Sequence, residues 1–215
     1  MEPITISEAR TWYRAADPVH DFEHVLRVYR TAERLAEVEG ADPEVVRAAA
    51  LLHDACGSAP GGEYGQRAEH HLASAEFAGQ VLTEKGWPPE KIQAVQHCIR
   101  AHRFRGQDEA PLTLEAQVLF DADKLDVLGA IGAARTIAYA ALDGQPTYAE
   151  PSPQFLKTGV KAPGEPHSSY HEFLFKLRHV KSRLFTASGK ALAEARHAYL
   201  LGFYEQLGAE VRGER

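Results

Sequence analysis

Eleven histidines occur in a chain of 215 residues, and several interrupt apolar helical patterns instead of gathering in a tag or tract. His24 lies in HDFEHVLRVYR, His53 and Asp54 stand side by side in AAALLHDACGS, and Asp123 lies in LFDADKLD. A charge carried into an apolar interior is costly unless it is paired or ligates a metal. Two imidazoles and two carboxylates from three separate segments make a mixed nitrogen and oxygen donor set. Such a set suits a divalent ion such as Mn, Fe, Ni, Co, Zn or Mg. The competing reading of the same four residues is a buried hydrogen-bonded network with no ion. Consecutive helical residues point about 100° apart, so His53 and Asp54 reach one ion only near a helix end, and Gly57 puts that end close by.

The segments that must position these residues carry apolar side chains at helical spacing, and no strand-like alternation bounded by hairpin turns is convincing. An all-α fold is expected, a single domain over the whole chain with the metal site in the core of a helical bundle. The periodicity predicts helices near Ile6 to Arg14 and from about Val19 to Val38, the second buried along Val25, Leu26, Val28, Tyr29, Ala32 and Leu35 and ended by Gly40. The next helix opens with Asp42 as N-cap and Pro43 at its first position. SAPGGEYGQ then reads as a Gly-rich loop, too irregular for a phosphate-cradling P-loop. Further helices are expected from about Arg67 to Lys85, from about Glu90 to Arg103, and from Leu114 without a break through LFDADKLDVLGAIGAARTIAYAAL. The site core thus spans about 19–142, a Pro- and Gly-rich loop or lid about 143–169, and C-terminal helices about 170–207, with Phe173, Phe175, Leu177 and Val180 in the core.

Bulk properties exclude several classes. The net charge is −6 and no long run of like charge occurs, so neither nucleic acid nor an anionic membrane surface is an expected partner. No apolar stretch approaches the roughly 20 residues that span a bilayer, and the N-terminus lacks a signal-peptide pattern, so a cytoplasmic protein is expected. Two cysteines, Cys56 and Cys98, do not make a disulfide framework and are read as free thiols.

His24, the His53-Asp54 doublet and Asp123 resemble the ordered H…HD…D signature of the HD-domain metal-dependent phosphohydrolases. The flanking strings HDFEHVLRVYRTAERLA, AALLHDACG, FDADKLDVLGAIGAAR and FLFKLRHVKSRLFTASGKALAEAR are similar to the small bacterial HD hydrolases related to nucleoside triphosphate pyrophosphohydrolases. The resemblance covers most of the chain. It implies that the four residues hold a divalent cation in a helical bundle and that the activity is hydrolysis of phosphoester or phosphoanhydride bonds. It also favours Asp123 over Asp121 as ligand, and gives His71 and His102 the places where many HD proteins carry histidines for a second metal. One ion, with His71 and His102 as phosphate or water contacts, and two ions remain equal alternatives.

That chemistry calls for cations to meet phosphate charge. Arg27, one turn after His24 on the same face, and Lys124, beside Asp123, are best placed, followed by Arg103, Arg105 and Arg135. Asp21 is spaced to orient His24. Asp54 is expected to act in catalysis as well as in ligation, and Glu76 is a candidate proton donor, with Glu63 and Asp126 as substitutes. His70 is read as the solvent-facing neighbour of His71, and His20, His97, His167, His171, His179 and His197 as core or surface residues. The expected reaction is conversion of a (deoxy)nucleoside triphosphate to monophosphate and pyrophosphate by metal-activated water. The rivals are a nucleoside monophosphate phosphatase, a cyclic-nucleotide phosphodiesterase and a non-catalytic metal or nucleotide sensor. The partner is then a small nucleotide, and a homodimer is left open.

Overall fold

The computed structural model describes residues 1–13, 22–56, 70–104 and 109–215. His20, Asp21, Gly57, Glu63, Arg105 and the SAPGGEYGQ loop lie outside the described residues. The described residues form ten α-helices and one short 3-10 helix, with no strand among them. By contacts the chain divides into two compact units, one made of Met1–Asp123 with Leu184–Gly189, the other of Lys124–Arg183 with Lys190–Arg215.

The first unit contains α1 (Ile6–Arg10), α2 (Phe22–Glu39), α3 (Pro43–Leu52), α4 (His70–Glu84), α5 (Pro89–Ala101) and most of α6 (Leu114–Leu125). Helix α3 is its axis, in contact with α1, α2, α4 and α5. The sequence dictates that place: in PEVVRAAALL the residues Val45, Val46, Ala48, Ala49, Ala50, Leu51 and Leu52 are all buried, so the helix is apolar around nearly its whole circumference. Three consecutive alanines keep it narrow enough for neighbours to close in on every side. Asp42 starts it, its Oδ1 accepting from the amides of Glu44 at 2.9 Å and Val45 at 3.4 Å. Upstream, α2 ends at Gly40, whose φ of +79° suits a residue without Cβ. Around α3, helix α2 buries Val25, Leu26, Val28, Ala32 and Leu35, as its periodicity predicts, but Tyr29 is only half-buried. The first helix is shorter than expected and ends at Arg10.

The second unit contains α7 (Gly129–Leu142), α8 (Pro153–Thr158), α9 (Ser169–Phe175), the 3-10 helix Leu177–Arg183 and most of α10 (Ala187–Val211). Two expectations are corrected here. The helix expected to run unbroken from Leu114 to Leu142 is two helices, because Leu128 is extended and Gly129 takes a φ of +69°. A Cβ at Gly132 would stand 2.2 Å from the Val127 carbonyl oxygen, so the turn needs a glycine there as well. The stretch 143–169 is more than a loop: Ser152 caps α8 and Glu165 ties the segment together. The Glu165 carboxylate accepts from Ser152 N at 2.6 Å, Ser152 Oγ at 2.7 Å and Ala162 N at 2.6 Å, and lies 3.1 Å from His171 Nε2. The core of this unit is aromatic, with Phe173 stacked on Tyr204 at a centroid distance of 4.3 Å and Tyr170 on Tyr148 at 4.8 Å. Phe173, Leu177 and Val180 are buried as expected, whereas Phe175 is 58% exposed, because α9 ends there and its last residue faces outward. Among the described residues no single helix is long and apolar enough to cross a membrane.

Candidate metal centre

His53 is the residue at which α3 stops, and a helix end leaves carbonyls without intrahelical partners. Two are satisfied locally. His53 Nδ1 donates to Ala50 O at 2.9 Å, and the Tyr13 hydroxyl donates to Leu51 O at 2.9 Å. Since a carbonyl only accepts, Nδ1 of His53 carries the proton and Nε2 keeps its lone pair. That Nε2 is buried and has no hydrogen-bond partner among the described residues. Helix α5 repeats the device at its own C-terminus, where His102 Nδ1 donates to Ile99 O at 2.6 Å and Nε2 is again left as an acceptor. Tyr13 was not singled out by its sequence context, because nothing local marks a tyrosine after α1 as a support for a helix end some 40 positions on.

His24 comes from the first turn of α2 and Asp123 from the last turn of α6. His24 Nε2 lies 3.5 Å from Asp123 Oδ1 and 3.9 Å from Asp54 Oδ2, and His53 Nε2 lies 3.5 Å from Asp54 Oδ2. One donor atom each from His24, His53 and Asp123 lies within 4.8 Å of the others. Donors about 2.0–2.2 Å from a shared ion stand ~3.0 Å apart on an octahedral edge and ~3.5 Å apart on a tetrahedral one. The two 3.5 Å separations match a tetrahedral edge and the 3.9 Å one is wider, and the Nε2 of His53, without a partner among the described residues, is the sort of buried polar atom that a cation would satisfy. Two imidazoles and two carboxylates therefore fit a divalent ion of borderline or hard character.

Asp54 is the hub of the cluster. Its Oδ2 faces His24 and His53, while its Oδ1 lies 3.1 Å from His70 Nε2 and 3.6 Å from His102 Nε2. Burial by itself disfavours the charged carboxyl, but the facing His53, His70 and His102 outweigh it and hold Asp54 well below the usual carboxylate range. Burial and the nearby Asp54 charge push the Tyr13 phenol up, so it stays a hydroxyl donor.

His70, read as solvent-facing, turns inward: it groups with Asp54 and His102 as a second cluster of donor atoms within 4.8 Å of one another, and Arg103 Nη1 lies 2.9 Å from its Nδ1. His71 is its neighbour, with ring centroids 6.1 Å apart, and stands 6.5 Å from the His102 ring. Both start α4, whose buried residues are Ser74, Ala75, Ala78 and Leu82; one turn back from these lie 70 and 71 alike, so the stripe does not choose between them. Arg27 is half-buried one turn after His24 on α2. Asp121 and Asp123 part company as two positions on one helix should. Asp121 is fully buried and accepts from Phe185 N at 2.9 Å, Thr186 N at 2.8 Å and Thr186 Oγ1 at 2.6 Å. Glu76 is exposed on α4 and close enough to act on Cys56, whose thiol is pushed up by burial and by the Glu76 charge. Lys124, Asp126 and Arg135 belong to the second unit, where Arg135 is paired with the buried Asp126 across the turn between α6 and α7. Both cysteines are free thiols, Cys56 exposed and Cys98 buried.

The HD domain family model matches residues 21–128. The chain is 30% identical over 213 residues to the uncharacterized protein YpgQ of Bacillus subtilis (strain 168), covering 96% of this chain and 93% of that protein. Its fold is similar to the crystal structure of Bacillus subtilis YpgQ in complex with ADP, with a TM-score of 0.73 and 28% identity over 98% of this chain and 100% of that one. It is also similar to an HD-superfamily hydrolase from Bacillus thuringiensis, with a TM-score of 0.69 and 28% identity over 96% of this chain and 94% of that one. The family match takes in the whole stretch from His24 through the doublet to Asp123, and the chain belongs to the HD-domain family.

Proposed function

We propose that this chain is a divalent-metal-dependent phosphohydrolase acting on nucleotides, cutting a nucleoside or deoxynucleoside triphosphate to the monophosphate and pyrophosphate. The observation that carries the reading is the convergence of His24 Nε2, His53 Nε2, Asp54 and Asp123 at separations of 3.5–3.9 Å, with a buried imidazole nitrogen left unsatisfied. The similarity to YpgQ, whose crystal structure holds ADP, supports a nucleotide as the ligand.

Each residue has a stated task. Ala50 O holds the proton of His53 on Nδ1, so that Nε2 is available as a ligand without any deprotonation. Asp54 and Asp123 contribute two negative charges, balancing a divalent cation. Such an ion supplies the positive charge that makes water a better nucleophile near neutral pH and offsets charge on a phosphoryl oxygen. Arg27 and Arg103 bind the remaining phosphate charge; in phosphoryl transfer most of the protein's contribution is positioning and electrostatic stabilisation. Tyr13 ties the end of α3, and with it the doublet, to the segment that follows α1.

The test is a screen of purified protein with Mn, Mg, Co, Ni, Fe and Zn against nucleoside mono-, di-, tri- and cyclic phosphates, assaying orthophosphate and pyrophosphate separately. Metal-dependent pyrophosphate release from triphosphates is expected. Orthophosphate from monophosphates would replace the triphosphate reading with a phosphatase, and silence with every metal would leave a sensor.

A further inference from the structure

The second unit leaves a patch of apolar surface uncovered. Leu156 in the last turn of α8 and Val160 just past it are each 61% exposed, and Phe175 at the end of α9 is 58% exposed. Leu156 and Phe175 line a cleft of about 210 Å³ together with Phe155, Gly159, Leu174 and Arg178. Its wall is held in place. Gly159 ends α8 with a φ of +71°, its amide donating to Phe155 O at 2.8 Å, and a Cβ there would stand 2.8 Å from the Phe175 ring, so the ring rests on bare backbone. Gln154 Nε2 donates to Val160 O at 3.3 Å and to Lys161 O at 3.2 Å, which fastens the residues that follow. Large apolar side chains exposed together and rimmed by polar ones mark an interaction site, and aromatic residues and Arg are enriched at such sites.

The rim of this cleft is positive. Residues 154–183 hold six lysines and arginines against two glutamates, a net charge of +4 in a chain of net −6, which leaves −10 on the rest. Lys176 and Lys181 are already paired, with Glu172 at 2.8 Å and Glu194 at 2.5 Å, whereas Lys157, Lys161 and Arg178 have no carboxylate partner among the described residues. Arg178 Nε donates to the neighbouring His179 Nε2 at 3.0 Å, so its terminal nitrogens are left for an anion. We propose that this face docks an acidic segment of a partner protein, with one bulky apolar side chain in the cleft against Phe175 and flanking carboxylates on Arg178, Lys157 and Lys161. Pockets that enclose a drug-sized ligand run to about 300–1,000 Å³, so a cleft of about 210 Å³ suits a single side chain better than a whole nucleotide. Single-stranded nucleic acid needs aromatic faces for successive bases, and two of the three exposed apolar side chains are aliphatic. A long polyanion or an anionic bilayer gains at the patch but is repelled by the −10 elsewhere, and a second copy in a two-fold contact would set like charge on like. A short acidic segment takes the gain without that cost.

Fluorescence anisotropy with the full-length protein tests this. The probes are fluorescein-labelled peptides carrying Leu, Phe or Trp between runs of Asp and Glu, beside the same peptides with Asn and Gln in place of the acids. The acidic set is expected to bind, with an affinity that falls as salt is raised. Arg178→Glu and Phe175→Ser are each expected to weaken binding by roughly tenfold or more, and Arg178→Gln to fall between Arg178→Glu and the wild type. Both side chains are exposed, so thermal melts should show a folded protein and manganese affinity should match the wild type. Failure of every acidic peptide to bind, equal binding of the amide peptides, or an affinity untouched by both Arg178→Glu and Phe175→Ser would overturn the proposal. So would tighter binding of oligothymidine or of phosphatidylglycerol vesicles than of the peptides, or self-association of the chain that Phe175→Ser abolishes.

Discussion

Two aspartates two residues apart on α6 are predicted to fail in opposite ways. Asp121 is fully buried and accepts three hydrogen bonds, at 2.9, 2.8 and 2.6 Å, from Phe185 N, Thr186 N and Thr186 Oγ1. These fasten residues 184–189, where α10 begins, onto α6 within the first unit. A hydrogen bond to a charged acceptor is worth about 1.5–3 kcal/mol, and a buried donor left alone costs about 1–3 kcal/mol. The three bonds share one carboxylate and do not add, so Asp121→Ala is expected to cost roughly 3–5 kcal/mol, the range for breaking a buried charged contact. At about 2–4 °C per kcal/mol for a chain of this size, Tm should fall by about 6–20 °C. Urea melts should show a lower midpoint with an unchanged slope, while manganese affinity, measured well below the new Tm, should stay near the wild-type value. Asp123→Ala should do the reverse: its side chain is 17% exposed and faces His24, so stability without metal should move little. Manganese affinity should drop on the order of 100-fold or more, since even residues that only support ligands cost 10–100-fold. An Asp121→Ala variant within about 0.5 kcal/mol of wild type, or one that loses as much metal affinity as Asp123→Ala, would refute this division of labour.

Asp54→Ala removes the carboxylate that faces all four imidazoles of the cluster and is expected to lose turnover together with most manganese affinity; wild-type activity in that variant would contradict the assignment. Gly189→Ala would bring a Cβ to 2.4 Å from Asp121 Oδ2 and 2.7 Å from Thr186 Oγ1, and should lower stability by about 1–3 kcal/mol, checked by thermal melts. Tyr13→Phe loses the bond to Leu51 O and should cost about 0.5–1.5 kcal/mol together with a few-fold fall in metal affinity; an unchanged affinity would mean that the hydroxyl does not steady the doublet. Glu165 is held at about 2, first by its bond from the Ser152 amide, against an ordinary value of 4.5. Because the folded-state value is the lower one, its stabilisation is present above the ordinary value and lost as pH falls toward 2. Glu165→Gln should therefore be less stable than wild type at neutral pH, with the gap narrowing below pH 4.5; a gap that widens on acidification would contradict the sign.

The parts that were legible in the sequence are those where local pattern and global fold agree. The apolar stripe of α2 and the Asp42-Pro43 start of α3 follow from helical period and capping chemistry, and the all-round apolar surface of AAALL marks a helix that must be central. The doublet's helix end was legible too, since two adjacent side chains cannot share a target along a regular helix. The break after Leu125 was not, because VLGAIGAA is composed of residues a helix accepts, and only the extended Leu128 and the left-handed Gly129 set the turn. Arg135 sits with Asp126 because that turn folds them together, a contact that exists only once the helix has broken. His70 was misjudged for a simpler reason: at the first turn of α4 both members of the pair lie near the inward face, and Arg103, 33 positions on, selects the orientation.

The most direct measurement is anomalous diffraction at the manganese edge from crystals grown with manganese. The account predicts a dominant peak roughly 2.0–2.3 Å from Nε2 of His24, Nε2 of His53 and one oxygen each of Asp54 and Asp123. A peak that misses His24 or Asp123, or manganese bound only elsewhere on the chain, would contradict it.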